Sequence, residues 1–173
     1  MSRGIDREEL IRDLNVEVRR YQNAQDAFDD AAAERLGINR TDQRCMDILD
    51  LNGQMTAGQL AAESGLSTGA VTTLLDRLER AGYVRRVRDT VDRRRVLVEL
   101  TDEARKRAWE IWGPIAAEAN EGWGNVSDEQ LLFLRDFLVG SQEFLARHLE
   151  RIKQPRDAGR SAGRRARRSD GGS

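Results

Sequence analysis

A chain of 173 residues is long enough for one domain with a real hydrophobic core. Its single cysteine, Cys45, excludes a disulfide framework and points to the cytoplasm. No apolar run approaches the roughly 20 residues that span a bilayer, so no membrane is expected as a partner, and the opening MSRGIDREELIRDL is too acidic and polar for a signal peptide.

The net charge of −1 hides an asymmetry. Residues 151–173 hold eight cationic and two acidic residues, a net of +6, which leaves −7 for residues 1–150. An acidic body cannot attract a polyanion by general charge, so its positive charge has to be concentrated locally.

Residues 6–36 read as one long helix, with Leu10, Ile11, Leu14, Val18 and Tyr21 at helical spacing, continuing less cleanly to Phe28, and Gly37 as the stop. A shorter helix is expected from Arg44 to Leu51, with Met46, Leu49 and Ile48 facing the core. Thr56-x-x-Gln59 is a capping box opening the next helix, whose apolar face is Leu60 and Ala61 and whose end is Gly65. Ser67 caps the helix after it. There Val71, Leu74, Leu75 and Leu78 form one buried stripe, while Thr68, Gly69, Thr72, Thr73, Asp76 and Arg77 fall on the other face. Gly82 stops this helix.

Tyr83 to Val87 and Val96 to Leu100 read as strands, with Val96, Val98 and Leu100 on the apolar face of the second. The loop between them, Arg88 to Arg95, holds four arginines and two aspartates. A helix from Asp102 to residue 122 follows, capped by Thr101 and interrupted by Pro114. Ser127-x-x-Gln130 is a second capping box, opening a helix over 127–152 with Leu131, Leu134, Phe137, Leu138, Phe144, Leu145 and Leu149 on its stripe. After Pro155 the chain has no large apolar residue, and 155–173 is expected to be a disordered basic tail, either an arm for phosphate contacts or a passive extension.

A helix-turn-helix alone is a packing motif, and an arginine-rich loop alone is solvated surface. The order capped helix, turn, capped helix, glycine, strand, basic tip, strand is far more specific. It describes a winged helix-turn-helix, which places one helix in the DNA major groove with a β-ribbon beside it. The fold class expected is mainly α with a small β-wing, the winged domain being flanked by long N- and C-terminal helices. Those helices carry more apolar surface than a small winged domain can cover, and a two-fold dimer would bury it; folding back on their own domain is the alternative.

The stretch TAGQLAAESGLSTGAVTTLLDRLERAGYVRR (56–86) followed by DRRRVLVELT (92–101) resembles the MarR (multiple antibiotic resistance regulator) family of bacterial transcription factors. The strong part of the likeness runs over residues 40–104. Its wing signature, Asp-x-Arg before a strand, falls on Asp92 and Arg94, and its helix-end pattern on Leu78, Glu79, Gly82, Tyr83, Val84 and Arg86. Ala104 departs from it, because the family often has glycine after the Leu-Thr pair.

The resemblance implies a homodimer built by the terminal helices. The corresponding boundaries are a winged-helix domain at 1–154, its DNA-binding part at 41–101, and dimerisation helices at 6–36, 102–122 and 127–152. Double-stranded DNA is the expected partner, as a pseudo-palindromic operator whose successive major grooves lie roughly 34 Å apart. The recognition helix starts at Ser67, and Thr68, Thr72, Thr73 and Arg77 are the candidates for base and phosphate contacts. Arg86 and Arg88 join the candidate DNA-binding residues. Arg94, with Arg93 and Arg95, enters or flanks the minor groove, where narrow width enhances the negative potential, and Asp92 braces the wing by pairing with an arginine.

The resemblance further implies a cleft between the dimer helices and the winged domain, often taking aromatic carboxylates or phenols. Tyr21, Phe28, Met46, Trp109 and Trp112 are its candidate lining for a small aromatic effector, and filling core or interface is the competing role for the aromatic residues. Function is thus read as a ligand-responsive repressor. The alternatives are a constitutive regulator without effector and a winged-helix module that binds protein.

Other chemistry finds little support. The one histidine, His148, lies late on a helix, and no Cys/His/Asp cluster has metal-ligand spacing, so neither metal nor cofactor is expected. Gly65-Leu-Ser-Thr-Gly69 looks like a nucleophile elbow, but its hydroxyl belongs to a helix cap, and an enzyme is not expected. Some relatives of this kind sense oxidants through a cysteine in the first long helix. Cys45 falls in the second, beside Met46, where a buried and inert thiol is the ordinary outcome and Arg44 alone favours a thiolate.

Overall fold

The computed structural model describes residues 6–153. The tail at 155–173 lies outside the described residues. The chain divides into two units, Met1–Glu118 and Ala119–Ser173. Its elements in order are α1 (Arg7–Leu36), α2 (Arg40–Asn52), α3 (Ala57–Ser64), α4 (Thr68–Arg80), β1 (Val84–Arg88), β2 (Val96–Leu100), α5 (Asp102–Trp123) and α6 (Asp128–Lys153).

The caps read from the sequence set the helix ends. Thr56 and Gln59 form a complete capping box, Ser67 Oγ accepts the Ala70 N–H at 3.2 Å, and Ser127 with Gln130 closes a second box at the start of α6. Gly65 sits between α3 and α4 with φ +72°, the left-handed conformation that turns the chain without a Cβ penalty.

α2 begins four residues earlier than the sequence suggests. Asn39 is its N-cap, accepting the Asp42 N–H at 2.9 Å, so Arg40, Thr41, Asp42 and Gln43 belong to the helix. The apolar stripe alone begins too late to reveal this first polar turn. β1 begins one residue later than expected. The Tyr83 N–H returns to the Leu78 carbonyl (2.9 Å) to finish α4, so strand pairing starts at Val84.

Antiparallel pairing of Val84 with Leu100 through Arg88 with Val96 builds the wing, and Met55 adds a bridge on the other side of Val98. The alternation holds for Val98 and Leu100, which are buried, but Val96 stands exposed near the tip. The core of the first unit joins Met46 and Leu49 of α2, Leu60 of α3, the four-residue stripe of α4, Tyr83, Val84, Val98, Leu100 and Ala104. Ala104, the departure from the family glycine, is fully buried at the start of α5, and its N–H is capped by the Thr101 hydroxyl at 3.0 Å.

The long helices differ from the core. α1 buries only Ala32 and Ala33, near its C-terminus, while Leu10, Ile11, Leu14 and Tyr21 are exposed. α6 has no buried residue, although Leu134, Phe137, Leu138, Phe144, Leu145 and Leu149 lie along it. Among the described residues no helix is long and apolar enough to cross a membrane.

Leu78 anchors this packing, being fully buried where α4 meets the wing. Leu78→Ala should lower unfolding stability by about 2–5 kcal/mol, the cost of a deleted core leucine plus its cavity. Urea titration followed by circular dichroism measures it.

Candidate nucleic-acid interface

The outer face of α4 is polar from its first turn. Ser67, Thr68, Thr72 and Thr73 are all exposed. Thr72 and Thr73 donate their hydroxyls back to the carbonyls of Thr68 (2.9 Å) and Gly69 (3.1 Å). With its proton so engaged, each hydroxyl oxygen is left as an acceptor, which suits the amino groups of adenine or cytosine. The Ser67 oxygen accepts the cap bond, leaving its proton to donate outward.

Arg77 is placed by a residue that the sequence did not point to. Its Nε and Nη2 donate in a two-pronged pair to Asp42 Oδ2 (2.9 Å) and Oδ1 (2.5 Å). Asp42 is 1% exposed, in the first turn of α2, where the helix N-terminus favours a carboxylate. Its hydrogen bonds raise the pKa of the guanidinium further above its usual value. Nη1 of Arg77 donates to no partner among the described residues.

Arg86, expected among the DNA contacts, has its guanidinium taken up by α4. It spans Asp76 (2.6 Å) and Glu79, and its backbone N–H also reaches Glu79. This fork fastens the end of α4 to β1. Arg85 pairs with Glu99 across the strands at 2.6 Å, and the Gln54 amide also donates to Glu99.

The wing tip is held by two aspartates. Asp89 Oδ1 accepts the backbone N–H of Val91 (2.8 Å) and of Asp92 (3.4 Å), and Oδ2 lies 3.6 Å from Arg95. The Val91 bond leads in holding the Asp89 carboxyl below its usual range, with Asp92 and Arg95 adding to it. Asp92 accepts both the backbone N–H (3.1 Å) and the Nε (3.3 Å) of Arg94. The Arg94 side chain nevertheless remains 93% exposed. Arg88 and Arg93 are exposed and pair with no carboxylate among the described residues. Asp42, Asp89 and the Asp76–Glu79 pair are the organising residues missed in the sequence. Only the Asx-turn potential of Asp89 was a readable signal.

A cleft of about 520 Å³ lies between α2 and α5 in the first unit. It takes in Met46, Trp109 and Trp112 of the expected aromatic lining, but not Tyr21 or Phe28. Tyr21 is exposed far along α1, and Phe28 packs edge-on to Trp112, their ring centroids 6.3 Å apart. Trp109 lies against Gly113, where an added Cβ would come within 2.8 Å of the indole. Cys45 is fully buried elsewhere in the core. Burial pushes its thiol up against a lesser opposing pull from the Ser64 hydroxyl, so the thiolate is disfavoured. His148 packs edge-on against Phe144 at 4.2 Å on α6.

A capped helix with a polar outer face, backed by a braced two-stranded wing, defines a winged-helix DNA-binding transcriptional regulator. The chain belongs to the MarR family, whose family model matches residues 38–96. YcgE of Bacillus subtilis, an uncharacterized HTH-type transcriptional regulator, is 39% identical over 127 residues, covering 73% of this chain and 82% of the relative. Solved structures at 24% identity share the fold. FabT of Streptococcus pneumoniae, in complex with DNA, superposes with a TM-score of 0.60 over 79% of this chain and 97% of its own. NadR in complex with 4-hydroxyphenylacetate gives 0.55 over 81% and 94%.

The Asp42–Arg77 pair predicts an asymmetry. Arg77→Ala leaves a buried carboxylate without its partner and should cost upwards of the roughly 1–3 kcal/mol for an unsatisfied buried group. Asp42→Ala leaves a half-exposed guanidinium that water can solvate, and should cost about 1 kcal/mol. Chemical denaturation of both variants gives the order.

Proposed function

We propose that the chain is a ligand-responsive repressor, acting in the cytoplasm, that binds a pseudo-palindromic operator as a homodimer. The observation that carries the DNA reading is the outward face of Ser67, Thr68, Thr72 and Thr73 beside a wing tip with exposed arginines. In this reading α4 enters the major groove, Nη1 of Arg77 reaches a phosphate or base edge, and Arg94, with Arg93 and Arg95, flanks the minor groove. Arg88 adds a phosphate contact at the base of the wing. Arg86 and Asp92 hold these elements in position. FabT, solved on DNA, supports the general mode. No catalytic step is assigned to any residue.

The homodimer is supported by the apolar faces of α1 and α6, where Leu10 and Leu14, and Leu134, Leu138, Leu145 and Leu149, are exposed in the single chain. Soluble monomers rarely leave so much apolar surface in contact with water. A second copy of the same chain covers such faces by two-fold symmetry and sets two α4 helices at the spacing of successive grooves. Regulation by a ligand is supported by the cleft at Met46, Trp109 and Trp112 and by NadR, solved with an aromatic acid. A ligand that favours the DNA-incompetent dimer draws the population off the operator in proportion to its differential affinity.

Light scattering should give about twice the chain mass of 19.6 kDa at micromolar concentration; a monomer there would remove two-site recognition. Arg94→Ala should weaken binding to a duplex selected from a random pool by about 1–3 kcal/mol, with the fold unchanged. A gel-shift titration returning wild-type affinity would place the wing off the DNA.

A further inference from the structure

The α2–α5 cleft has a chemistry of its own. α2 presents Gln43, Asp47 and Asp50 to it at helical spacing, and α5 faces them with Arg105, Trp109 and Trp112. Gln43 is 2% exposed. Its Nε2 donates to Asp29 Oδ1 at 3.4 Å, which fixes the amide orientation, because only the nitrogen can donate to a carboxylate. Its Oε1 is buried and has no donor among the described residues. A buried carbonyl oxygen of this kind has the capacity to accept an N–H or O–H.

The charged groups point the same way. Two carboxylates line the cleft against one cation, Arg105. That guanidinium is already engaged: Nη1 donates to the Leu100 carbonyl at 2.8 Å and lies 3.9 Å from Asp102, and Nε is 4.0 Å from Asp50. Asp47 forms no ion pair among the described residues. Burial pushes its carboxyl above the usual range and Asp50 pushes it further, against a lesser downward pull from Arg40, so a carboxylate here still gains from a cation. The remaining walls are aliphatic side chains and the indoles of Trp109 and Trp112, and a cation is attracted to an indole face.

We propose that this cleft takes a lipophilic ammonium ion, an aryl-alkyl amine whose ring lies against Trp109 and Trp112 while its N–H groups meet the Asp47 carboxylate and, once the Gln43 side chain turns to uncover it, Gln43 Oε1. This rests on the effector reading above and changes the class of ligand within it. An aromatic carboxylate of equal size would set its charge against Asp47 and Asp50 and leave Gln43 Oε1 without a donor. An ammonium satisfies both groups at once, and the apolar body displaces water from the indoles.

The test uses the full-length protein and three probes of matched shape: 2-phenylethylamine, 3-phenylpropionate and 2-phenylethanol. Binding is read at neutral pH by tryptophan fluorescence and by calorimetry. The amine should bind at least about tenfold more tightly than the acid, a difference of about 1.4 kcal/mol. Asp47→Asn should erase that preference while leaving the alcohol's affinity unchanged, and Asp47→Lys should reverse the order, with circular dichroism showing intact folds. A tighter acid, or an Asp47→Asn variant that keeps the preference for the amine, overturns the cationic assignment and leaves an effector cleft standing. If none of the three binds, both the assignment and the effector reading fall.

Discussion

The position of α4 depends on one buried carboxylate. Asp42 sits in the first turn of α2 and takes both prongs of Arg77 from α4. A buried pair adds little net stability compared with apolar packing, but it is intolerant of displacement, because a moved partner leaves an unpaired charge. The neighbouring residue Arg40 reaches in the other direction, to Asp26 (3.3 Å), Asp29 (2.9 Å) and Asp30 (3.1 Å) of α1. α2 thus stands between the long first helix and α4, with charged contacts to both from a single turn. Arg86 fixes the other end of α4 to the wing, and Asp89 fixes the wing tip. Three aspartate-centred braces, with Glu79 assisting one, hold α4 and the wing in register.

Much of this architecture was legible because it is local. Caps at Thr56, Ser67 and Ser127 act within three residues, and the α4 stripe repeats within one helix. Those signals need no knowledge of the rest of the fold. What was not legible is long-range and polar. Asp42 and Arg77 are 35 positions apart, and a helix start taken from the apolar stripe at Arg44 leaves Asp42 in a loop with no role. Arg77 and Arg86 both read as cations near a recognition helix. Residue type does not reveal that one has part of its guanidinium outward and the other spends its fork on Asp76 and Glu79. The aromatic cleft residues divide in the same way: Trp109 and Trp112 follow Arg105 by four and seven residues on one face of α5, whereas Tyr21 lies exposed on α1.

The acidic body gives these braces a further meaning. Residues 1–150 carry −7, so long-range attraction of DNA is weak and binding relies on placed contacts. Carboxylates beside the arginines serve as internal counter-ions that keep the side chains extended from fixed points before DNA arrives. In the proposed DNA-binding mode a phosphate would compete with a carboxylate at Arg94 and Arg95, whereas Arg88 and Arg93 have no carboxylate partner among the described residues. The competition lowers general affinity for any duplex and leaves shape and base-edge fit with a larger share of the discrimination.

The same helix connects this recognition machinery to the cleft. Asp42 and Gln43 are adjacent in α2, one facing Arg77 and the other lining the cavity with Asp47 four residues on. A rigid-body shift of α2 carries both residues together. A ligand that draws Gln43 and Asp47 toward α5 acts on the carboxylate that positions α4, and does so through a shift of well under one helical turn. Coupling then requires no long relay. It requires only that the ligand bind two positions of α2 with unequal affinity, and that the buried Asp42–Arg77 geometry hold in only one of them.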